Sequence, residues 1–459
     1  EYYVAGKGVT DEGKSVLAHD DQLTEDINNK AYGTDGNTAQ DQRALSDAQM
    51  NSTNTLYDAL GPVLGKYYKD AADAGKLPKT AQFLSDMNKS ASTGVAKATY
   101  QHPRPYVDRV NFNGTTLNMN GLKQTLNIKK VPGYENFDWG DGEAPDNEYD
   151  GLYNSGSFPS GHTTFAFTQG AGLAYLLPEL GPEIMTRVSE AGNNRIVLGV
   201  HYPLDIMGGH IAGQYGVATA VSGEKTAQEG AAARAELVDY LTAQCKADNH
   251  GDTLDACITN TGANAANGYR NDFTDEVSTK PVTDRASALA AYKARMTYGF
   301  QATGTTGQAP VVPDSAVRML DNVAAFKSLD SAQKKAVLAA TEGDSGYPLD
   351  ASSQGWARVN LAAAYSAKVT LSADGKNVVK VEPGQAQASV VRETSGNNGN
   401  GNGGSNAGNI GVNNAAGRNP SGTQPLSKTG ADVSGIASAF ILIAAAGVTI
   451  MMIRRKHAI

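Results

Sequence analysis

Three short stretches of this chain collect lysine, arginine, serine and histidine at spacings that suit an oxyanion. Lys97 to Pro105 reads KATYQHPRP, Pro159 to His162 reads PSGH, and Arg195 to Asp205 reads RIVLGVHYPLD. Lys97, Arg104 and Arg195 bring three cations, Ser160 a hydroxyl, and Gly161 a backbone N–H with no side chain over it. Two guanidinium forks and an ammonium can hold the three non-bridging oxygens of a phosphoryl group. Two imidazoles, His162 and His201, complete the set. One can attack phosphorus while the other protonates the departing oxygen.

Helices must bring these stretches together. Gln40 to Leu60, Thr80 to Gln101, Thr163 to Leu177, Pro182 to Leu198 and Pro203 to Val221 carry helix-compatible patterns broken at Gly and Pro. PSGH precedes a helix, whose first-turn N–H groups would face a bound anion. Arg195 falls at the end of the next helix. Pro203 suits a first helical position, which leaves His201 just ahead of the helix and Asp205 in its first turn. The Asp205 carboxylate can then accept from His201 Nδ1 and turn Nε2 toward phosphorus, as in catalytic triads. Each position also has a plainer reading. Asp205 alone is a helix-start carboxylate, and His162 alone a surface or capping residue. His102 either lines the site or packs beside Pro103. His210, within MGGHIAGQYG, reads as structural, its glycines suited to close helix packing.

The rest of the chain holds no further catalytic constellation. Glu135 to Asp150 (ENFDWGDGEAPDNEYD) reads as a solvated acidic loop, since it lacks the carboxylate spacing of an EF-hand. Ala227 to Cys245, Ala286 to Tyr298 and Ser315 to Thr341 look helical, and Lys368 to Lys380 looks like a hairpin around Asp374-Gly375.

The three stretches resemble the type 2 phosphatidic-acid phosphatase superfamily, whose signature is K-x6-RP, then PSGH, then SR-x5-H-x3-D. The resemblance covers roughly Ser46 to Ser222, with one departure: Asn194 stands where the family usually has serine. It implies an all-α helical bundle of the acid phosphatase and vanadium haloperoxidase type. It implies His201 as a nucleophile forming a phosphohistidine, His162 as general acid and base, and Asp205 as the group orienting His201. Lys97, Arg104, Ser160, Gly161 and Arg195 would bind phosphate, with His102 and Asn194 as further site-lining residues. No metal and no cofactor are implied, because side-chain cations carry the charge that magnesium carries elsewhere. The favoured activity is phosphomonoester hydrolysis on a small phosphate ester. The alternative is a vanadate-dependent haloperoxidase using the same anion site, and a third is a silent surface adhesin on this scaffold.

Composition sets the frame. The chain has 459 residues, 40% of them hydrophobic, enough for a sizeable core. A formal charge of −8, with no basic run before the last residues, argues against a nucleic-acid partner. Cys245 and Cys257 could close a small disulfide loop in an exported protein. The division expected is a phosphatase core over 1–225, a helical extension or small second domain over 226–387, a disordered Gly/Asn/Ser linker over 388–425, and a sorting signal over 426–459. There LSKTG precedes an apolar run at 433–453 and the cluster Arg454, Arg455, Lys456. This resembles the LPxTG signal of Gram-positive wall-anchored proteins, with Ser427 in place of proline. It implies sortase cleavage between Thr429 and Gly430, peptidoglycan as partner, and membrane contact only through this segment before sorting. An export signal upstream of Glu1 is expected with it. No other run is long and apolar enough to span a bilayer, so a soluble helical bundle is expected.

Overall fold

The computed structural model describes residues 2–138, 147–261, 268–350 and 354–394. Two short strands, β1 (Tyr3–Val4) and β2 (Gly8–Val9), pair antiparallel and lead into helix α1 (Lys14–Tyr32). Sequence reasoning missed α1. Its buried face mixes Val16, Leu17, Leu23 and Ile27 with Asp20, Asp21, Glu25 and Asn28, so the apolar stripe is interrupted. Gln40 to Leu60, read as one helix, is α2 (Ala39–Ala48), α3 (Ser52–Leu56) and a 3-10 turn. The break falls at Met50, which has φ 51°, and at Asn51, whose side chain accepts from Asn54 N–H to start α3. Helix α4 (Pro62–Asp73) follows.

Thr80 to Gln101 likewise divides into α5 (Pro78–Asn88) and α6 (Gly94–Tyr100). Ser90 Oγ bonds back to the Met87 carbonyl at 2.6 Å, the kind of local bond with which serine competes against helix. A minimal hairpin, β3 (Asn111–Phe112) with β4 (Thr115–Thr116), and the short α7 (Glu148–Leu152) lead to three central helices. These are α8 (Gly161–Leu176), α9 (Gly181–Val197) and α10 (Pro203–Val221). Every residue of α9 is buried. Helices α8 and α10 lie so close that a Cβ on Gly213 would stand 2.5 Å from Phe167 Cβ and 2.9 Å from the Thr164 carbonyl. That close approach is the use of the glycines around His210.

Beyond α10, α11 (Glu224–Ala247) and α12 (Leu254–Thr261) are joined by the Cys245–Cys257 disulfide, and α13 (Arg285–Thr297) lies against α9. Ser315 to Thr341 is not one helix. It is two 3-10 segments followed by α14 (Ser331–Thr341), which a capping box between Asp330 and Gln333 starts afresh. The five-residue α15 (Leu361–Tyr365) also packs on α9. Strands β5 (Lys368–Leu371) and β6 (Val378–Glu382) form the expected hairpin. A third strand, β7 (Ser389–Arg392), runs parallel to β5 on its other side. The linker expected from 388 therefore begins with ordered sheet.

One apolar cluster runs from Leu56 through α8, α9 and α13 to Leu371, with no seam at 225. A second gathers Val16, Ile27, Val131, Tyr134, Ile196 and Leu198 around the far end of α9. Among the described residues, no helix is long and apolar enough to cross a membrane. The rest of the linker, Thr429, Gly430 and the apolar run 433–453 lie outside the described residues.

Candidate active site

The two clusters meet at the α9–α10 turn, where the three motifs converge. Gly199, at φ 69°, reverses the chain after α9 and sets His201 ahead of α10. His201 Nδ1 lies 3.0 Å from Asp205 Oδ2, both side chains being 2% exposed. The carboxylate also accepts from Tyr202 N–H at 3.0 Å and from Ser157 Oγ at 3.3 Å. A carboxylate that already accepts two other donors receives the Nδ1–H proton, so the lone pair sits on Nε2. The opposite side of the ring agrees: Arg104 Nη1 is 3.1 Å from Nε2, and a guanidinium can only donate. Burial, then the charges of Arg104, Lys97 and Arg195, holds His201 well below its ordinary pKa. With its proton on Nδ1, the ring presents a lone pair at Nε2. Burial raises Asp205 to about 6, against the pull of its hydrogen bond from Tyr202 and of the Lys97 charge.

Backbone oxygens hold the cations in place. Lys97 Nζ donates to the Gly156 and Ser157 carbonyls at 2.7 and 2.9 Å. Arg104 donates through Nε to the Leu152 and Ser155 carbonyls, at 3.1 and 3.2 Å, and through Nη1 to Val200 O at 2.8 Å. Burial, then Arg104, pushes Lys97 well below its ordinary pKa. Arg195 is different. Its Nη2 donates to Tyr134 Oη at 2.7 Å, while buried Nε and Nη1 carry no hydrogen bond. Unsatisfied buried guanidinium donors are costly. An anion would satisfy them.

Ser160 is the N-cap of α8. Its Oγ accepts from Thr163 N–H at 3.2 Å and from Thr163 Oγ1 at 2.9 Å, which leaves its own O–H to donate. Gly161 opens the helix, two residues ahead of the Thr163 start read from the sequence. His162 Nε2 lies 3.0 Å from the Ala48 carbonyl at the end of α2. A carbonyl only accepts, so Nε2 carries the proton and Nδ1 is the atom that can exchange one. Burial and Arg195 hold this ring, too, well below its ordinary pKa.

Two expected site-lining residues stand further back. His102 is 7% exposed, with Nδ1 3.0 Å from Ser157 Oγ, and so supports Asp205 through Ser157. Asn194 Nδ2 donates to Asp47 Oδ2 at 2.8 Å. It thus belongs to a buried ionic cluster in which Arg187 clamps Asp47 at 2.5 and 3.1 Å and reaches Asp58 at 3.1 Å. His210 is structural: it stacks on Phe167 and bonds to Gln214 and Tyr292. The Glu135–Asp150 segment is less solvated than expected, since Phe137 and Tyr149 are buried, Tyr149 bonding to the Leu198 carbonyl. Residues 139–146 lie outside the described residues. Sequence reasoning missed Ser157, Tyr134 and the Ala48 carbonyl. For Ser157, its place two residues before Pro159 was the available signal.

Residues 81–227 match the PAP2 superfamily. The match supports the superfamily that the motifs resemble, and it contains Lys97, Arg104, Ser160, His162, Arg195, His201 and Asp205. Among curated proteins, an acid phosphatase of Zymomonas mobilis is 33% identical over 205 residues, which is 43% of this chain and 61% of the relative. A non-specific acid phosphatase of Providencia stuartii is 27% identical over 189 residues, 40% of this chain and again 61% of the relative. The chain thus spans about three fifths of each relative's length. The PAP2 region does not include everything at the site, because Ala48 and Asp47 precede it.

Proposed function

We propose that this protein hydrolyses phosphate monoesters through a phosphohistidine on His201, without a metal. The observation that carries the reading is the state of His201: a neutral ring whose Nδ1–H is fixed by Asp205, with Nε2 turned to the guanidinium of Arg104. Around it stand three cations and one carboxylate, a charge balance suited to a phosphate dianion. The phosphoryl oxygens would take the open donors of Arg195, the Ser160 hydroxyl and Lys97. His162 takes up a proton at Nδ1 as the negatively charged ester binds; His201 Nε2 then attacks phosphorus, the bond from phosphorus to the alcohol oxygen breaks, and the alcohol leaves with that proton. Asp205 balances the positive charge that the modified ring acquires. Water, giving its proton to His162, releases phosphate and restores both rings. The acid phosphatase names of the two relatives support this choice over haloperoxidation.

Rapid acid-free quench of the protein with a labelled ester tests the mechanism. Acid-labile phosphoenzyme is expected in the wild type and none in His201→Ala. Near-normal turnover by His201→Ala would sink the assignment. Wild-type protein given vanadate, peroxide and bromide should show inhibited ester hydrolysis and little bromide oxidation; the reverse result selects the haloperoxidase.

The proposed location is outside the cell, anchored to peptidoglycan after sortase cleavage at Thr429–Gly430. The LSKTG segment with its apolar run and basic end supports this, as does the Cys245–Cys257 disulfide, a bond of oxidising compartments.

A further inference from the structure

The proton that leaves with the alcohol is exchanged at His162, and a carbonyl sets which nitrogen exchanges it. That carbonyl, on Ala48, stands at the C-terminal end of α2, the negative end of the helix dipole, which favours a cation. The N–H groups of the following turn go elsewhere: Gln49 donates to the Ser46 carbonyl and Met50 to the Asp47 carbonyl, each at 3.2 Å. Burial, then Arg195, lowers the pKa of His162, whereas the bond to Ala48 raises it. The placement of one carbonyl therefore helps to set how readily the ring takes up the proton it must give.

Helix α2 is only 10 residues long, and its end is pinned from α9. Asp47, next to Ala48 in the chain, is buried, and donors from α9 converge on its carboxylate. Arg187 grips both oxygens, at 2.5 and 3.1 Å, and Asn194 Nδ2 donates to Oδ2 at 2.8 Å. The two donors lie two turns apart on one face of α9, and Asn194 is followed at once by Arg195. Asn194 is fully buried, and its other amide atom, Oδ1, carries no hydrogen bond. A buried amide that leaves its acceptor unsatisfied calls for a reason. Its one side-chain bond, to Asp47, supplies it.

We propose that Asn194 is a positioning residue for the proton donor: with Arg187 it locks Asp47 and the last turn of α2, so that the Ala48 carbonyl stays on His162 Nε2 and Nδ1 is the nitrogen that serves the departing oxygen. The inference rests on the phosphatase reading with His162 as general acid. Helix α2 precedes the PAP2 match at 81–227, so this support comes from the chain's N-terminal segment. Through the adjacent Asn194 and Arg195, the helix that presents a guanidinium to the anion also steadies the group that gives the proton.

The test is Asn194→Ser in the full chain. The serine hydroxyl ends one bond short of the amide nitrogen, and within a helix it can turn back to a carbonyl of the preceding turn. Arg187 still clamps Asp47 and a buried unsatisfied acceptor disappears, so the melting temperature should stay near that of the wild type. For methyl phosphate, kcat should fall about tenfold, a share of the general acid's contribution. Nitrophenyl phosphate, whose leaving group can depart unprotonated, should lose no more than about twofold, and KM should hold for both. Asn194→Ala, which removes the amide without adding a hydroxyl, should give the same pattern. A double-mutant cycle then isolates the route. In a His162→Ala background, Asn194→Ser should cost methyl phosphate hydrolysis nothing further. Equal losses for the two esters, or an undiminished loss in that background, would make Asn194 a structural residue and overturn the proposal. If His162→Ala itself depresses both esters alike, the proton-donor assignment falls and takes the proposal with it. If the wild type turns over neither ester, the phosphatase reading falls as well.

Discussion

At the residue scale, the two candidate catalytic histidines are distinguished by what fixes each ring. A carboxylate holds His201 at Nδ1 and a carbonyl holds His162 at Nε2, so they present opposite nitrogens to the substrate. Their losses should differ accordingly. A general acid contributes about 10²–10⁴-fold, and most where the leaving oxygen is basic. His162→Ala should therefore depress methyl phosphate hydrolysis by about that factor while sparing nitrophenyl phosphate. His201→Ala should depress both alike, because attack precedes either departure. Equal losses in His162→Ala would place the proton elsewhere. The side chains that the structure brings together were legible because each is chemically distinctive and stands in a contiguous motif. The groups that aim them were not. Ala48 acts through its carbonyl, which every residue possesses, and Tyr134 meets Arg195 from a position one residue ahead of the segment read as a solvated loop.

At the element scale, the long helices of apolar sequence were legible, whereas the segmented ones and α1 were not. Pro203–Val221 was read to the residue, since proline starts it and an apolar run sustains it. Helix α1 was invisible because half of its buried face is polar: Asp20 accepts from Leu204 N–H at the start of α10, and Asn28 donates to the Val197 carbonyl at the end of α9. The joint between α8, α10 and α13 makes a prediction about pH. His210 sits there against Phe167, Gln214 and Tyr292, and burial lowers its pKa to about 4. An unfolded histidine titrates near 6.5. Between those values the unfolded chain takes up a proton that the folded joint refuses, so stability falls as pH falls from about 6.5 toward 4. His102, lowered to about 3, adds to the same slope. Melting temperature followed over that range should drop, and His210→Gln should flatten part of the drop. An unchanged slope in the variant would show that the joint does not titrate.

At the scale of the whole molecule, the chain beyond 225 is bound into the core. Arg295 Nη1 donates to Ser189 Oγ at 3.3 Å, Tyr298 Oη to Asn193 Oδ1 at 3.2 Å, and Arg285 holds Glu183 at 2.7 Å. At the far end, β7 extends the sheet, and Arg285 also donates to the Ala386 carbonyl at 2.8 Å. A chain ending at Thr394 should keep the wild-type melting temperature and activity. One ending at Gly384 loses β7 and that bond, and should melt measurably lower, since about 1 kcal/mol moves a midpoint by roughly 2–4 °C in a domain of about 150–250 residues and by less in a larger one. Equal melting of the two would show that β7 adds nothing to the fold. The extension was opaque in the sequence because its purpose is to cover another helix, and covering leaves no motif.

The all-round burial of α9 also sets when, during its own synthesis, this protein becomes able to react. A nascent chain that has just completed α10 already possesses every lysine, arginine and histidine of the site. Yet the partners of Glu183, Ser189 and Asn193 have not been made, and Arg195 hangs from a helix with one side bare to water. Possession of the motifs comes early and the machine comes late. On the phosphatase reading, whichever compartment receives the finished chain receives the activity with it, and phosphate esters met along the way pass an unassembled site.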